Sequence, residues 1–225
     1  MEVLGVLLPL SIGVAFSSVP IMAMIVILLS PRGQLSGITY LIGYALGLAL
    51  VTVGFTAGVR ALPDGDDSPS LFWIGIGEIV LGAGFVFFAI WSFTRVRRRI
   101  RATGVPPAMP AWLRRAGDLG PAPAFGVGFV LNLRPKALVI ATAAALTLNA
   151  GDLSPVAWAV DTTIYLLIGL STVAAPVIVV WRSGERARAV LERARDWLER
   201  NSYIVTSIVV IMVGVVLIGD GLTRL

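Results

Sequence analysis

Asn132, Arg134, Pro135 and Lys136 fall within five positions of the stretch LNLRPKA, Leu131 to Ala137, inside an apolar run from Phe125 to Leu148. Lys136 is the only lysine of the chain. A guanidinium fork and an ammonium supply donors and positive charge for an anionic group, and a carboxamide adds a donor and an acceptor. Pro135 removes a backbone N–H and frees carbonyls that would otherwise close the helix. Ser17 and Ser18, before Pro20, supply a comparable polar wall elsewhere in the chain. Taken together, these residue types describe a ligand site for an anion.

Two acids also interrupt apolar runs, Glu78 and Asp161. Counted at 1.5 Å per residue, Arg134 and Lys136 lie roughly 17–20 Å from the basic side of their segment, and the acids come out at a similar depth in ~30 Å of hydrocarbon. Each charge costs ~2.5–3.5 kcal/mol at the centre of a bilayer helix, so all four must face the bundle or a wet cavity. Two readings stay open: a buried ion-pair network that only fixes helix register, or cations that bind substrate while the acids hold them or carry a coupling proton. Thr162 and Thr163, beside Asp161, are weaker candidates because helix threonines commonly bond back to their own carbonyls.

The elements that position these residues are membrane helices. The chain is 57% hydrophobic and 14% charged, with a mean hydropathy of +0.89, far from a soluble domain at about 25% charged. Apolar blocks at 3–29, 37–61, 71–93, 123–148, 155–181 and 203–222 each meet the ~20 residues a spanning helix needs. They are continuously apolar and lack the alternation of a membrane barrel. The expectation is an all-α integral membrane protein with six spans in a single transmembrane domain, 1–225. The first block lacks a basic start and is long for a secretory signal, so it reads as a retained span.

Arginines give the orientation. Arg95, Arg97, Arg98, Arg99, Arg101, Arg114 and Arg115 lie between spans three and four, and Arg182, Arg186, Arg188, Arg193, Arg195 and Arg200 between spans five and six. With Arg32 they make 14 basic residues on one side against Arg60 and Arg224 on the other, and the acidic Asp64, Asp66 and Asp67 fall on that second side. The positive-inside rule places both termini outside. Anionic lipid headgroups on the cytoplasmic side are the expected partners of this charge, and nucleic acid is not. Residues 184–200 place Ala187, Val190, Leu191, Ala194, Trp197 and Leu198 on one helical face, which predicts an amphipathic helix along the cytoplasmic surface before the last span.

The chain has no cysteine and no histidine, which removes disulfides, thiolate chemistry and the commonest metal ligand and acid–base group. No phosphate loop and no G-x-S-x-G elbow occurs. The expectation is a protein that is not an enzyme and uses no cofactor or metal.

A weak internal repeat is visible. GVAFSSVP, Gly13 to Pro20, parallels GVGFVLNLRP, Gly126 to Pro135. Three spans per half would insert with opposite orientations, as in inverted-repeat transporters, where paired Pro-interrupted spans mark the substrate site. The predicted division is repeat one 1–94, a cytoplasmic basic loop 95–121, and repeat two 122–225. Gly43, Gly47, Gly54 and Gly58 in span two, with Gly75, Gly77, Gly82 and Gly84 in span three, read as packing faces within the bundle or in a homodimer.

FSSVPIMAMIVILLSPR (Phe16 to Arg32), GYALGL (Gly43 to Leu48), NLRPK (Asn132 to Lys136) and VLIGDGL (Val216 to Leu222) together resemble the actinobacterial GAP proteins, the sulfolipid- and glycopeptidolipid-addressing family of the LysE exporter superfamily. The similarity covers essentially the whole chain. It implies a multi-pass protein of the bacterial plasma membrane, exporter-like and concerned with glycolipids. It also implies that Pro20 faces Asn132, Pro135 and Lys136 across a transport site. The sequence departs from a contiguous Asn-Pro-Lys by inserting Leu133 and Arg134, and the added cation favours an anionic ligand. The leading expectation is a transporter of an anionic amphiphile, a lipid or glycolipid, working by alternating access. The alternatives are a small-molecule, amino-acid-like exporter of the LysE type and a non-transporting adaptor for lipid-export machinery.

Overall fold

A computed structural model describes residues 2–61, 71–104, 110–150, 153–184 and 186–223; Asp64, Asp66, Asp67 and Arg224 lie outside them. Among the described residues the chain is helical throughout, with no strand. The helices are α1 (Glu2–Ala15), α2 (Ser18–Leu28), α3 (Gly33–Arg60), α4 (Leu71–Thr103), α5 (Ala111–Arg115), α6 (Pro121–Val130), α7 (Pro135–Ala150), α8 (Pro155–Ser183) and α9 (Arg186–Thr223). Single 3-10 turns follow α5 at Ala116–Asp118 and α6 at Leu131–Leu133.

The six apolar blocks become whole and broken crossings. α3, α8, α9 and most of α4 are each long and apolar enough to cross a membrane alone. The first and fourth blocks are bent pairs, α1 with α2 at 42° and α6 with α7 at 62°, and each pair is long and apolar enough to cross when its two halves count as one span. The protein is therefore a multi-pass membrane protein with up to six spans. Both bends have a proline cause. Arg134 is extended (φ −72°, ψ 149°) because the ring of Pro135 excludes its neighbour from the helical region. Ser17 is extended too (φ −76°, ψ 103°), and Pro20, in the first turn of α2, occupies a position where no intrahelical N–H is needed.

One expectation needs correction. The amphipathic segment 184–200 is not a separate helix lying on the surface, since it runs without interruption into the last span as α9, 38 residues long. No glycine or proline separates Arg186 from Gly214, and Asn201 bonds its Nδ2 back to Trp197 O at 2.8 Å, so nothing stops the helix. The basic segment 95–121 is partly helical: its first arginines extend α4 to Thr103, and α5 with the 3-10 turn after it lays Leu113 and Ala116 into the core against α2. The helices α4 and α8 are followed by Gly104 (φ 67°) and Gly184 (φ 49°), left-handed positions that glycine takes without steric cost.

Glycines set the closest approaches. A Cβ on Gly43 or Gly128 would stand 2.2 Å from Phe125 O or 2.3 Å from Tyr40 O, so α3 and α6 touch backbone to backbone. α4 packs on α9 through Gly82 and Gly214, each of whose Cβ positions meets the other's carbonyl, and through Gly221 against Gly75 O. Small faces of this kind permit close helix contact in lipid. Gly54, Gly58, Gly77 and Gly84 meet nothing within 4 Å. α1 packs on α8 and α6 on α3, while α2 packs on α8 and α7 on α3. Two apolar clusters result, one around Met24, Tyr40, Tyr44 and Leu191 and the other around Leu10, Ala144, Tyr165 and Val213. The helix breaks sit at the seam between them.

Candidate functional site

The two broken crossings meet at this seam. Arg134, half-buried, donates from Nε to Leu131 O at 3.0 Å and from Nη2 to Ser17 Oγ at 3.4 Å. Its side chain thus reaches from the break after α6 to the break before α2. The first bond occupies a carbonyl that the interrupted helix leaves open, and the second is long and weak. Lys136, also half-buried, has no hydrogen-bond or ion-pair partner among the described residues.

A narrow crevice of about 20 Å³ lies between α1, α3 and α7, lined by Ser17, Tyr44, Asn132, Arg134 and Lys136 together with apolar side chains. Lys136 also borders a second space of the same size beside Phe85 and Val210. Each holds one water-sized guest. A lipid headgroup would enter only if the helices on either side parted.

Other residues of the expected site turn elsewhere. Asn132 is buried, and its Nδ2 donates to Tyr44 O and Gly128 O, both at 3.1 Å. Both of these bonds clasp α6 to α3, while the residue still lines the crevice. Ser18 is buried with its Oγ 3.2 Å from Thr206 Oγ1 of α9, so it faces α9 and not the crevice. Pro20 is buried and contributes its carbonyl as acceptor for Tyr40 Oη at 3.0 Å. Pro135 is exposed and acts through the backbone break. Thr163 bonds back to Ala159 O at 2.7 Å.

Asp161 forms no ion pair with Arg134 or Lys136. Asp161 is buried on α8, yet among the described residues the ion pairs are Arg188–Glu192 and Arg195–Glu199, both on α9. Similar depth along different helices does not place side chains on facing surfaces. The side chain of Glu78, on α4, lies outside the described ones.

A family model for the sulfolipid-1-addressing protein, Sap, matches residues 7–223. The chain belongs to the sulfolipid-1-addressing protein family. No curated protein and no solved structure matches it. The match spans both helix breaks and every crossing, so the crevice belongs to the part of the chain that defines membership in the sulfolipid-1-addressing family.

Several polar residues of this family member escaped the sequence reading. Tyr40 and Tyr44 stack with ring centroids 6.4 Å apart, and Tyr44 lines the crevice. Their spacing of four on a glycine-bearing helix was the available signal. Thr52 Oγ1, Tyr165 Oη and Trp158 Nε1, with Thr162 Oγ1 of the threonine already named beside Asp161, are buried without a hydrogen-bond partner among the described residues. Thr52 belongs to α3, and residues 158, 162 and 165 share one face of α8 at helical spacing. At the far end of α3, Arg60 donates from Nε to Asn149 Oδ1 at 2.7 Å and lies 5.5 Å over the Trp158 ring. Asn149 in turn donates to Thr56 O at 3.1 Å, so α3, α7 and α8 are tied together there.

Proposed function

We propose that this protein exports an anionic amphiphile, a lipid or glycolipid, across the bacterial plasma membrane by alternating access. The observation that carries the proposal is the ammonium of Lys136, without a partner among the described residues, set beside Arg134 in a crevice at the junction of two broken membrane helices. Leaving such a charge unneutralised costs ~2.5–3.5 kcal/mol at bilayer depth, a cost an anionic guest offsets. The family description names a sulfolipid, an amphiphile of the charge this site favours.

The halves act as inverted three-helix repeats, with LysE-like topology and both termini outside. Their packing supports this: α1 on α8 corresponds to α6 on α3, α2 on α8 to α7 on α3, and α4 pairs with α9. In this scheme the contacts of Arg60 with Asn149 and Trp158 close the outer end. The unpartnered polar groups between α3 and α8 mark the route a headgroup takes once that end opens, because buried polar atoms need water or ligand as partners.

The test is transport of anionic lipid in proteoliposomes. Lys136→Ala and Arg134→Ala are expected to abolish it with the fold retained, and full transport in both variants would remove the site. A single-residue solute such as a basic amino acid, moved with the same dependence on Lys136, would favour the small-molecule reading. Coupling to protons through Asp161 predicts that Asp161→Asn flattens the pH dependence of transport; an unchanged profile excludes that role.

The adaptor reading draws on a different observation, the exposed arginines 95 and 97–99 on α4. It predicts loss of function on neutralising Arg95, Arg97, Arg98 and Arg99 while the Lys136 and Arg134 variants stay active.

A further inference from the structure

Two spaces larger than the crevice of Arg134 and Lys136 lie elsewhere among the described residues. A cavity of about 520 Å³ lies between the α2–α3 turn and the α8–α9 corner, where, among the described residues, Ser30, Arg32, Gln34 and Arg188 contribute the hydrogen-bonding side chains. A trough of about 610 Å³ runs between α2, α8 and α9, lined almost wholly by apolar side chains such as Ile21, Ile25, Val179 and Leu198. Its one hydroxyl, that of Thr172, donates to Ala15 O. Leu191 lines both spaces, so the basic chamber and the apolar trough adjoin. Phe16 and Trp197, at the trough, are 49% and 53% exposed, and indole rings favour the membrane–water interface.

We propose that this groove is a binding site for one anionic phospholipid of the surrounding leaflet, with its phosphate between Arg32 and Arg188 and one acyl chain in the trough. The volumes fall within the ~300–1,000 Å³ of small-molecule sites, and basic pockets between membrane helices are the usual seats of anionic headgroups. Arg32 is exposed. Arg188 uses Nε for its 3.1 Å bond to Glu192, and its side chain remains 73% exposed, so the terminal nitrogens are accessible to a phosphate. Ser30 and Gln34 add neutral donors. An apolar chain replaces bilayer lipid against the trough, so discrimination between lipids comes from the chamber. The site is separate from the crevice of Arg134 and Lys136, and it stands whether or not the chain exports anything.

The test is native mass spectrometry of the full chain released from nanodiscs of mixed phosphatidylglycerol and phosphatidylcholine. One phosphatidylglycerol is expected to remain bound in preference to phosphatidylcholine. The double variant R32Q/R188Q should lower that affinity about thirtyfold, at about a factor of five per arginine near a headgroup. R98Q/R99Q, which removes the same charge from the exposed face of α4, should leave it unchanged. A175W fills the trough from an exposed position and should displace the lipid without altering the melting temperature. Equal retention of the two lipids, an equal loss in R98Q/R99Q, or unchanged retention in A175W overturns the proposal. Should a groove variant fail to fold, brominated phosphatidylglycerol gives the answer on the native chain. It should quench a tryptophan component that W197F lacks, and absence of that quenching has the same overturning force.

Discussion

The two broken crossings use one device and finish it differently. In both, a proline stops a helix near the middle of an apolar segment and the residue at the break is extended. Around the first break the polar groups are consumed by neighbours: Ala15 O by Thr172, Ser18 by Thr206 and Pro20 O by Tyr40. Around the second, glycines bring α3 and α6 into backbone contact and Asn132 clasps them. The two cations beside that clasp are thereby left to the crevice. A helix fixed by its backbone can leave charged side chains free, whereas one fixed by its side chains becomes a wall.

The largest stability effect expected from this contrast is at Gly128. Gly128→Ala puts a methyl 2.3 Å from Tyr40 O, a backbone atom that cannot turn aside, and should cost about 3 kcal/mol by overpacking. Gly13→Ala, in the first crossing, meets Val213 Cγ2 at 3.0 Å, a side chain that can give way, and should cost under about 1 kcal/mol. Thermal unfolding in one detergent compares the two, and equal losses would erase the distinction between backbone and side-chain fixation.

Asn132→Leu comes next. It leaves Tyr44 O and Gly128 O without their side-chain donor in a buried site and should cost about 1–3 kcal/mol. Tyr40→Phe removes the single bond to Pro20 O, worth about 1 kcal/mol, and Ser18→Ala should cost no more than that. The smallest effect is expected of Ser17→Ala. Its bond to Arg134 is 3.4 Å long, so the melting temperature should hardly move while binding of an anion beside Arg134 weakens. A large loss of stability in Ser17→Ala would make the Ser17–Arg134 contact a structural fastening and align the second break with the first.

Much of this was legible in the residues. Proline chemistry is local, so Pro20 and Pro135 announced both breaks before any contact was known. The positions of Arg134 and Lys136 within an apolar segment announced charges that must face inward. Which neighbour each polar side chain meets was not legible, because it depends on the rotation of one helix against another. Asn132, Ser18 and Pro20 carried residue types suited to a ligand, and packing gave their hydrogen-bonding capacity to protein partners. Asp161 matched the cations in depth, yet no ion pair joins it to Arg134 or Lys136. The glycines illustrate the same limit. Gly43 and Gly47 meet backbone while Gly54 and Gly58, on nearly the same face, meet open space, because α6 crosses only one half of α3.

By itself the sequence determined that this is a membrane protein, where its crossings lie and which of them break, since hydropathy over ~20 residues and the geometry of proline act within a segment. It also gathered most of the arginines into two of the segments between apolar blocks. Only the tertiary structure decided that Arg134 reaches Ser17, that Lys136 finds no partner among the described residues and that the amphipathic segment continues the last span. It alone formed the basic chamber and the apolar trough beside Leu191. Those features arise where helices far apart in the chain face one another, and the free energy that fixes their facing is shared across packing surfaces that no single segment contains.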